Sequence, residues 1–231
     1  MVCEKKKFDG ILNINKPKGI SSAGVVRKLK HLFNPKKIGH GGTLDPLSTG
    51  VLPILFGEAT KFGTLSLEAN KSYRAEINLG IVTTTGDSEG KVVKSCNSKK
   101  NLTEVEKVLP KFLGDQYQIP PMFSALKFNG TPLYKLARKN IELKRKPRKV
   151  KIFELKILDF KFPLLLIEVS CSKGTYIRSL AEDIGNDLEC GAHLRNLERI
   201  SVGEFNIKNS LNFDDLVRSF ESEEINRIKT K

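Results

Sequence analysis

Apolar positions change period several times along the chain. In "SSAGVVRKLKHLF" (21–33), Val25, Val26, Leu29, Leu32 and Phe33 recur at three- and four-residue steps behind Ser21 or Ser22. That spacing predicts an amphipathic helix with a serine N-cap. In "NLTEVEKVLPKFLG" (101–114), Val105, Val108, Leu109 and Phe112 form a second stripe, Thr103-x-x-Glu106 reads as a capping box and Gly114 as a stop. Elsewhere the period falls to two. Tyr73, Ala75, Ile77 and Leu79 alternate with polar residues, "KVKIFELKIL" sets Phe153, Leu155 and Ile157 on one face, and "LLLIEVSCS" gives a third strand. After Ser172-Lys173-Gly174 the helical period returns at Ile177, Leu180, Ala181, Ile184 and Leu188, and again at Phe213, Leu216, Val217 and Phe220. Strands and helices without a regular βαβ rhythm predict an α+β fold, with a mixed, mainly antiparallel central sheet flanked by helices. One domain is expected over 1–217, with a mixed-charge tail over 218–231. The stretch from about 120 to 149 differs: Pro120, Pro121, Gly130 and Pro132 stand among Phe123, Phe128 and Tyr134, which reads as a projecting insertion with one short helix.

Composition narrows the function classes. A chain of 231 residues that is 39% hydrophobic can bury a real core. No apolar run is long enough to span a membrane, and the charged start "MVCEKKKFDG" lacks the apolar centre of a signal peptide. Cys3, Cys96, Cys171 and Cys190 form no CxxC pair and read as reduced thiols of a cytoplasmic protein. Net charge is +14, and Lys135 to Lys151 alone holds nine basic residues against one acidic. Such clustering favours a polyanionic partner over a merely solvated basic face. Aromatic rings interleaved with Lys127, Lys135, Arg138 and Lys139 suit RNA, because bases stack while phosphates pair. The same rings also suit a hydrophobic anchor for a long loop, and one segment can do both.

Against that basic background, 38–57 contains a single charged side chain, Asp45, among Gly39, Gly41, Gly42, Pro46, Gly50 and Pro53. Pro46 pushes Asp45 toward extended backbone, and the glycines permit tight turns. Read alone, the carboxylate is a turn residue capping its own backbone. Other chemistries fail on this stretch. There is no P-loop, Gly39-x-Gly41 is no dinucleotide fingerprint, and His31, His40 and His193 lack metal-ligand spacing. Ser48, His40 and Asp45 lack the elbow context of a hydrolase triad.

The stretch "GHGGTLDPLSTGVLPILFGEATKF" resembles the catalytic signature G-H-x-G-x-L-D-P-x-A-x-G of the TruB-type pseudouridine synthases, with Ser48 where that family commonly has Ala. Further motifs follow in the family's order over roughly 9 to 217. "LNINKPKGISS" is similar to its KPxGxxS motif, "KSYRAEINLG" to its Tyr-bearing strand and "IPPMFSALKFNGTPLYKLAR" to its RNA-gripping insertion. "VSCSKGTYIRSLAEDIG" resembles its Arg-bearing motif and "CGAHLRNLERISVG" the segment after it.

The resemblance implies isomerisation of the T-loop uridine at tRNA position 55 to pseudouridine, after base flipping, by a monomer with no cofactor, no metal and no obligate protein partner. It reverses the bland reading of Asp45, which becomes the catalytic carboxylate. Tyr73 is expected to stack on the flipped uracil and Arg178 to pair with Asp45. Without the resemblance, Tyr73 would read as a strand core residue and Arg178 as an arginine at a helix start bonding local carbonyls. RNA contacts are expected from His40, Lys16 and Leu197, and from Lys127, Lys135, Arg138, Lys144, Arg145, Lys146 and Arg148. The family's C-terminal RNA-binding domain of the PUA type is not expected in this chain. Two rivals stand beside this reading: a guide-RNA-dependent homologue acting on ribosomal RNA, and an idle tRNA chaperone.

Overall fold

The computed structural model describes residues 9–229, with side chains as far as 222. Cys3 and the charged start lie outside the described residues, as does the end of the expected tail. In chain order the elements are β1 (Gly10–Lys16), α1 (Ser22–Phe33), β2 (Ile38–His40), β3 (Thr49–Phe56), α2 (Gly63–Glu68), β4 (Lys71–Leu79), β5 (Ile81–Thr83) and β6 (Val92–Ser95). There follow α3 (Leu102–Val108), β7 (Gly114–Gln118), β8 (Lys127–Phe128), β9 (Thr131–Pro132), α4 (Leu133–Ala137), β10 (Arg148–Lys161) and β11 (Leu164–Cys171). The chain closes with α5 (Ile177–Asp187), β12 (Ala192–Val202), β13 (Phe205–Asn206), β14 (Leu211–Asn212) and α6 (Phe213–Lys229). Two compact units result: Met1–Lys71 with Glu198–Lys231, and Ser72–Leu197.

In the first unit the strand order is β14-β1-β3-β12. β1 and β3 run antiparallel from Gly10↔Phe56 to Lys16↔Gly50, while β14 and the end of β12 add parallel pairs. Ile14, Leu52, Ile54 and Phe56 of this sheet meet Val25 and Leu29 of α1 and Phe213 of α6 in one core. Ser21 caps α1 as expected, accepting from the Gly24 N–H. α6 runs on through most of the segment expected to be a tail. Asn212 caps it by accepting from the Asp214 and Asp215 N–H groups, and Phe220 sets its ring 4.8 Å from that of Phe33. Burying Phe213 contributes on the order of 2 kcal/mol, against a few tenths for the Arg218–Asp215 surface pair, so packing rather than charge holds this helix.

In the second unit the order is β12-β4-β11-β10-β7, with antiparallel pairing of β10 to both β11 and β7. The mixed, mainly antiparallel sheet is the α+β architecture that the patterns predict. β4 buries Tyr73, Ala75, Ile77 and Leu79, and β11 buries Leu165, Ile167, Val169 and Cys171. Two local expectations are corrected. The capping box of α3 is Asn101 with Glu104, not Thr103 with Glu106, because Asn101 starts the helix two residues earlier. On β10, Val150 and Ile152 are the buried pair and Phe153 is 45% exposed. The register shifts between Ile152 and Glu154, so Phe153 is the extra residue of a bulge, and Leu155 and Ile157 return to the inner face opposite Val169 and Ile167. Among the described residues no disulfide joins Cys96, Cys171 and Cys190. Nor is any helix there long and apolar enough to cross a membrane.

Candidate active site

Asp45 lies in the first unit, half-buried, on the connection between β2 and β3. Its carbonyl accepts the Ser48 N–H at 3.0 Å, closing a turn with Pro46 at the second position, where the fixed φ of proline fits. Leu44, Leu47 and Ser48 on either side are buried, which leaves the Asp45 side chain between two inward anchors. Ser22 at the start of α1 clasps Leu44 from both sides, its hydroxyl accepting the N–H at 2.8 Å and donating to the carbonyl at 3.0 Å. The Gly19 N–H donates to the Pro46 carbonyl at 2.8 Å and the Gly41 N–H to that of Pro53 at 2.8 Å.

One buried cation, Arg199, braces this uncharged stretch from outside it, and two more, Lys71 and Lys16, brace neighbouring segments. Arg199, 1% exposed, donates to the carbonyls of Val51 at 2.8 Å, Gly42 at 3.2 Å and Thr43 at 3.3 Å. Lys71 donates to those of Ser66, Leu67 and Ala69. Lys16, wholly enclosed, donates to Pro17 and Ile20 at 2.9 and 2.8 Å. Lys16, named among the expected RNA contacts, is enclosed here and fixes the segment leading into α1. A buried charge is tolerated only when hydrogen-bonded, so each cation fixes the carbonyls around it. Gly50 admits Arg199 closely. Its φ is +105°, and a Cβ there would lie 2.2 Å from the Arg199 carbonyl oxygen. His40, half-buried beside Gly42, is held neutral: burial pushes its pKa down and the nearby Arg199 charge pushes it further.

Arg178 lies in the second unit, at the start of α5 and 5% exposed. It donates to the carbonyls of Phe123 at 2.6 Å and Thr85 at 3.3 Å, and stands 3.5 Å from Oδ2 of Asp87. The carbonyls it bonds are remote in sequence, not the local ones of the bland reading. Asp87, the carboxylate facing Arg178, is a residue that the sequence reading did not single out. Buried at 4%, it accepts from the Thr85 hydroxyl at 2.5 Å and the Glu89 N–H at 3.1 Å. In "TTTGDSEG" it looks like an ordinary turn aspartate; the available signal was a carboxylate following a left-handed glycine, Gly86 at φ +71°. Glu182, one helical turn after Arg178, has its pKa raised by burial and by Asp183, with Arg178 opposing. Tyr73 is buried on β4 and Leu197 half-buried on β12.

The insertion is bolted at its root within the same unit. Gln118 donates to the Tyr176 carbonyl and accepts its N–H, Ser179 donates to the Ile119 carbonyl, and Arg178 holds Phe123. Arg145 is half-buried and committed to the Pro120 and Leu143 carbonyls at 3.0 and 2.9 Å, which makes it a strut of the loop. Lys127, Lys135, Arg138, Lys144, Lys146 and Arg148 are exposed, with Arg138 5.6 Å from the Tyr134 ring centroid.

Comparison with known proteins places most of the chain within two family models. The family model for the TruB family pseudouridylate synthase N-terminal domain covers residues 30–177, and that for the tRNA pseudouridylate synthase B C-terminal domain covers 178–228. The chain is 50% identical to a tRNA pseudouridine synthase B of Dechloromonas aromatica over 96% of this chain and 75% of that protein. It is 53% identical to one of Francisella philomiragia over 90% of this chain and 70% of that one. Among solved structures, a Cbf5-Nop10-Gar1 complex matches with TM-score 0.72 and 31% identity over 90% of this chain, which spans 54% of the matched chain.

Proposed function

Because the chain belongs to the TruB family of pseudouridylate synthases, we propose that it isomerises the T-loop uridine of tRNA, position 55, with Asp45 as the catalytic carboxylate. Half identity over nearly the whole chain to tRNA pseudouridine synthase B carries the tRNA-modifying reaction. The bracing of one carboxylate on an uncharged loop supports the role of Asp45.

In the reaction the C1′–N1 bond of uridine breaks and a C1′–C5 bond forms. The C5 proton leaves to water and N1 takes one up, so nothing is oxidised or hydrolysed. The uridine must first leave the stack of its loop, at a cost of a few kcal/mol. Tyr73 offers a ring for the extruded uracil and Leu197 an apolar wall, and the neutral imidazole of His40 supports the emptied T-loop without adding charge. Asp45 then acts as an anion, by attack on the ribose, attack on the ring or removal of a ribose proton; each route needs the ionised form. Arg178 is the partner that the family resemblance implies for it. Asp87 and the Phe123 and Thr85 carbonyls orient the guanidinium and fix its direction. The exposed basic side chains of the insertion take the phosphates of the T-arm, while Arg145 keeps the loop in shape.

Direct action on tRNA is favoured over a guide-RNA-dependent role. The relatives at 50% and 53% identity are named for tRNA, whereas the Cbf5 match stands at 31%. The test is a T-arm transcript carrying tritium at uracil C5. Tritium release, with pseudouridine mapped to position 55 and lost when that uridine is replaced by cytidine, is the expected result. No release at high enzyme concentration overturns the proposal.

A further inference from the structure

The outer face of the edge pair β7 and β10 takes no part in the site described above. Its register sets Tyr117 opposite Lys149 and Asp115 opposite Lys151, and the alternation of a strand puts these four side chains on one face. The other face is the buried one, with Gln118, Val150 and Ile152. Tyr117 is 74% exposed, although a ring of that size is ordinarily drawn into a core. Phe153, the extra residue of the bulge, stands at 45% exposure on the same edge, and Lys151 Nζ lies 5.7 Å from its ring centroid. Bulges are a recurrent means of re-aiming a side chain at a sheet edge. Lys149 reaches Asp115 at 2.8 Å in an exposed pair, which holds the ammonium over the face yet is weak enough to yield to a phosphate.

We propose that this face is a stacking platform for unpaired nucleotides of the RNA, outside the base that reacts. Tyr117 and Phe153 supply rings on which bases stack; Lys149 and Lys151 supply charges spaced for the connecting phosphates. RNA is favoured over a second copy of this chain by charge. Each copy carries +14, and packing this face on the same face of a second copy would bring the Lys149 and Lys151 charges near their own kind. The proposal rests on the reading of RNA as substrate and extends the contact surface beyond the insertion.

The chain contains no tryptophan, so Tyr117→Trp creates a sole tryptophan reporter on the platform, excited at wavelengths where tyrosine does not absorb. Its emission is expected to be quenched saturably by a T-arm transcript extended with unpaired nucleotides, and far less by a blunt duplex of equal length. Phe153→Trp serves as the second reporter should the first variant fold poorly. The double variant Tyr117→Ala/Phe153→Ala is expected to raise Kd for the extended transcript about tenfold or more, with the loss in KM rather than kcat. Lys149→Gln/Lys151→Gln should lower the salt slope of log Kd by about 1.4. Absence of quenching in both reporters while the wild type forms pseudouridine overturns the platform and leaves the reaction standing. Quenching that depends on protein concentration without RNA, with dimers in sedimentation, overturns it in favour of self-association. Quenching by RNA with no pseudouridine formed by the wild type supports the platform and sinks the proposed reaction instead.

Discussion

Replacing Arg199 by methionine tests whether a buried cation holds the Asp45 loop. Methionine keeps most of the stem volume, so the main loss is the donors to three carbonyls, those of Val51, Gly42 and Thr43. A hydrogen bond from a charged donor contributes about 1.5–3 kcal/mol, and two of these three are long, so the gross loss is about 5 kcal/mol. Removing a buried guanidinium also relieves its desolvation, which offsets roughly 2 kcal/mol and leaves about 3 kcal/mol net. For a chain of this size that lowers Tm by about 6–12 °C. Two of the orphaned carbonyls lie two and three residues before Asp45, so kcat for pseudouridine formation should fall with the stability. His40 loses a neighbouring positive charge, so its pKa should rise, readable from its imidazole proton shifts. Differential scanning calorimetry and tritium release on one preparation give both quantities. A Tm within about 2 °C of wild type, with kcat unchanged, would refute the bracing role.

Three further outcomes are expected. Arg178→Ala should lower both activity and stability, since it strands the Asp87 carboxylate and the Phe123 and Thr85 carbonyls together; loss of activity at unchanged Tm would show that these contacts carry no structural weight. Glu182 has a raised native pKa, so the native state binds its proton more tightly than the unfolded chain; that stabilisation is present below the ordinary carboxyl range and is lost as pH rises through the native value. Glu182→Gln should therefore be more stable than wild type at neutral pH and flatter in Tm from pH 4 to 8; identical profiles would contradict the shift. Changing Lys144, Lys146 and Arg148 to Gln should weaken RNA binding and lower the salt slope by about 2 to 3, measured by filter binding, whereas an unchanged slope would make the run a solvated face.

Periodicity revealed much of the fold, and the reasons for its misses are physical. α1 with its Ser21 cap, the alternation of β4 and β11, and the stripe of α5 were legible because one face of each is buried against a core. The β10 reading failed at Phe153 because a bulge resets the period of two in mid-strand and nothing local in the sequence marks it. The α3 box was misplaced because Asn101-x-x-Glu104 and Thr103-x-x-Glu106 are both plausible starts, and only the backbone decides. The candidates Asp45, Tyr73 and Arg178 came from the motifs. Lys16, Lys71 and Arg199 did not reveal themselves as braces, because a cation in a sequence reads as surface until its acceptors are known, and the Arg199 acceptors lie about 150 residues away. Asp87 hid in the same way, as a turn residue whose arginine partner is distant in sequence.

The central claim is tested most directly by Asp45→Asn. The amide keeps the size of the carboxylate and removes its charge and nucleophilicity. Under single turnover with enzyme in excess, on the tritiated T-arm transcript, the variant should bind RNA with wild-type affinity, unfold at the wild-type Tm and release no tritium above background. Release at a rate near wild type would contradict the assignment of Asp45 as the catalytic carboxylate.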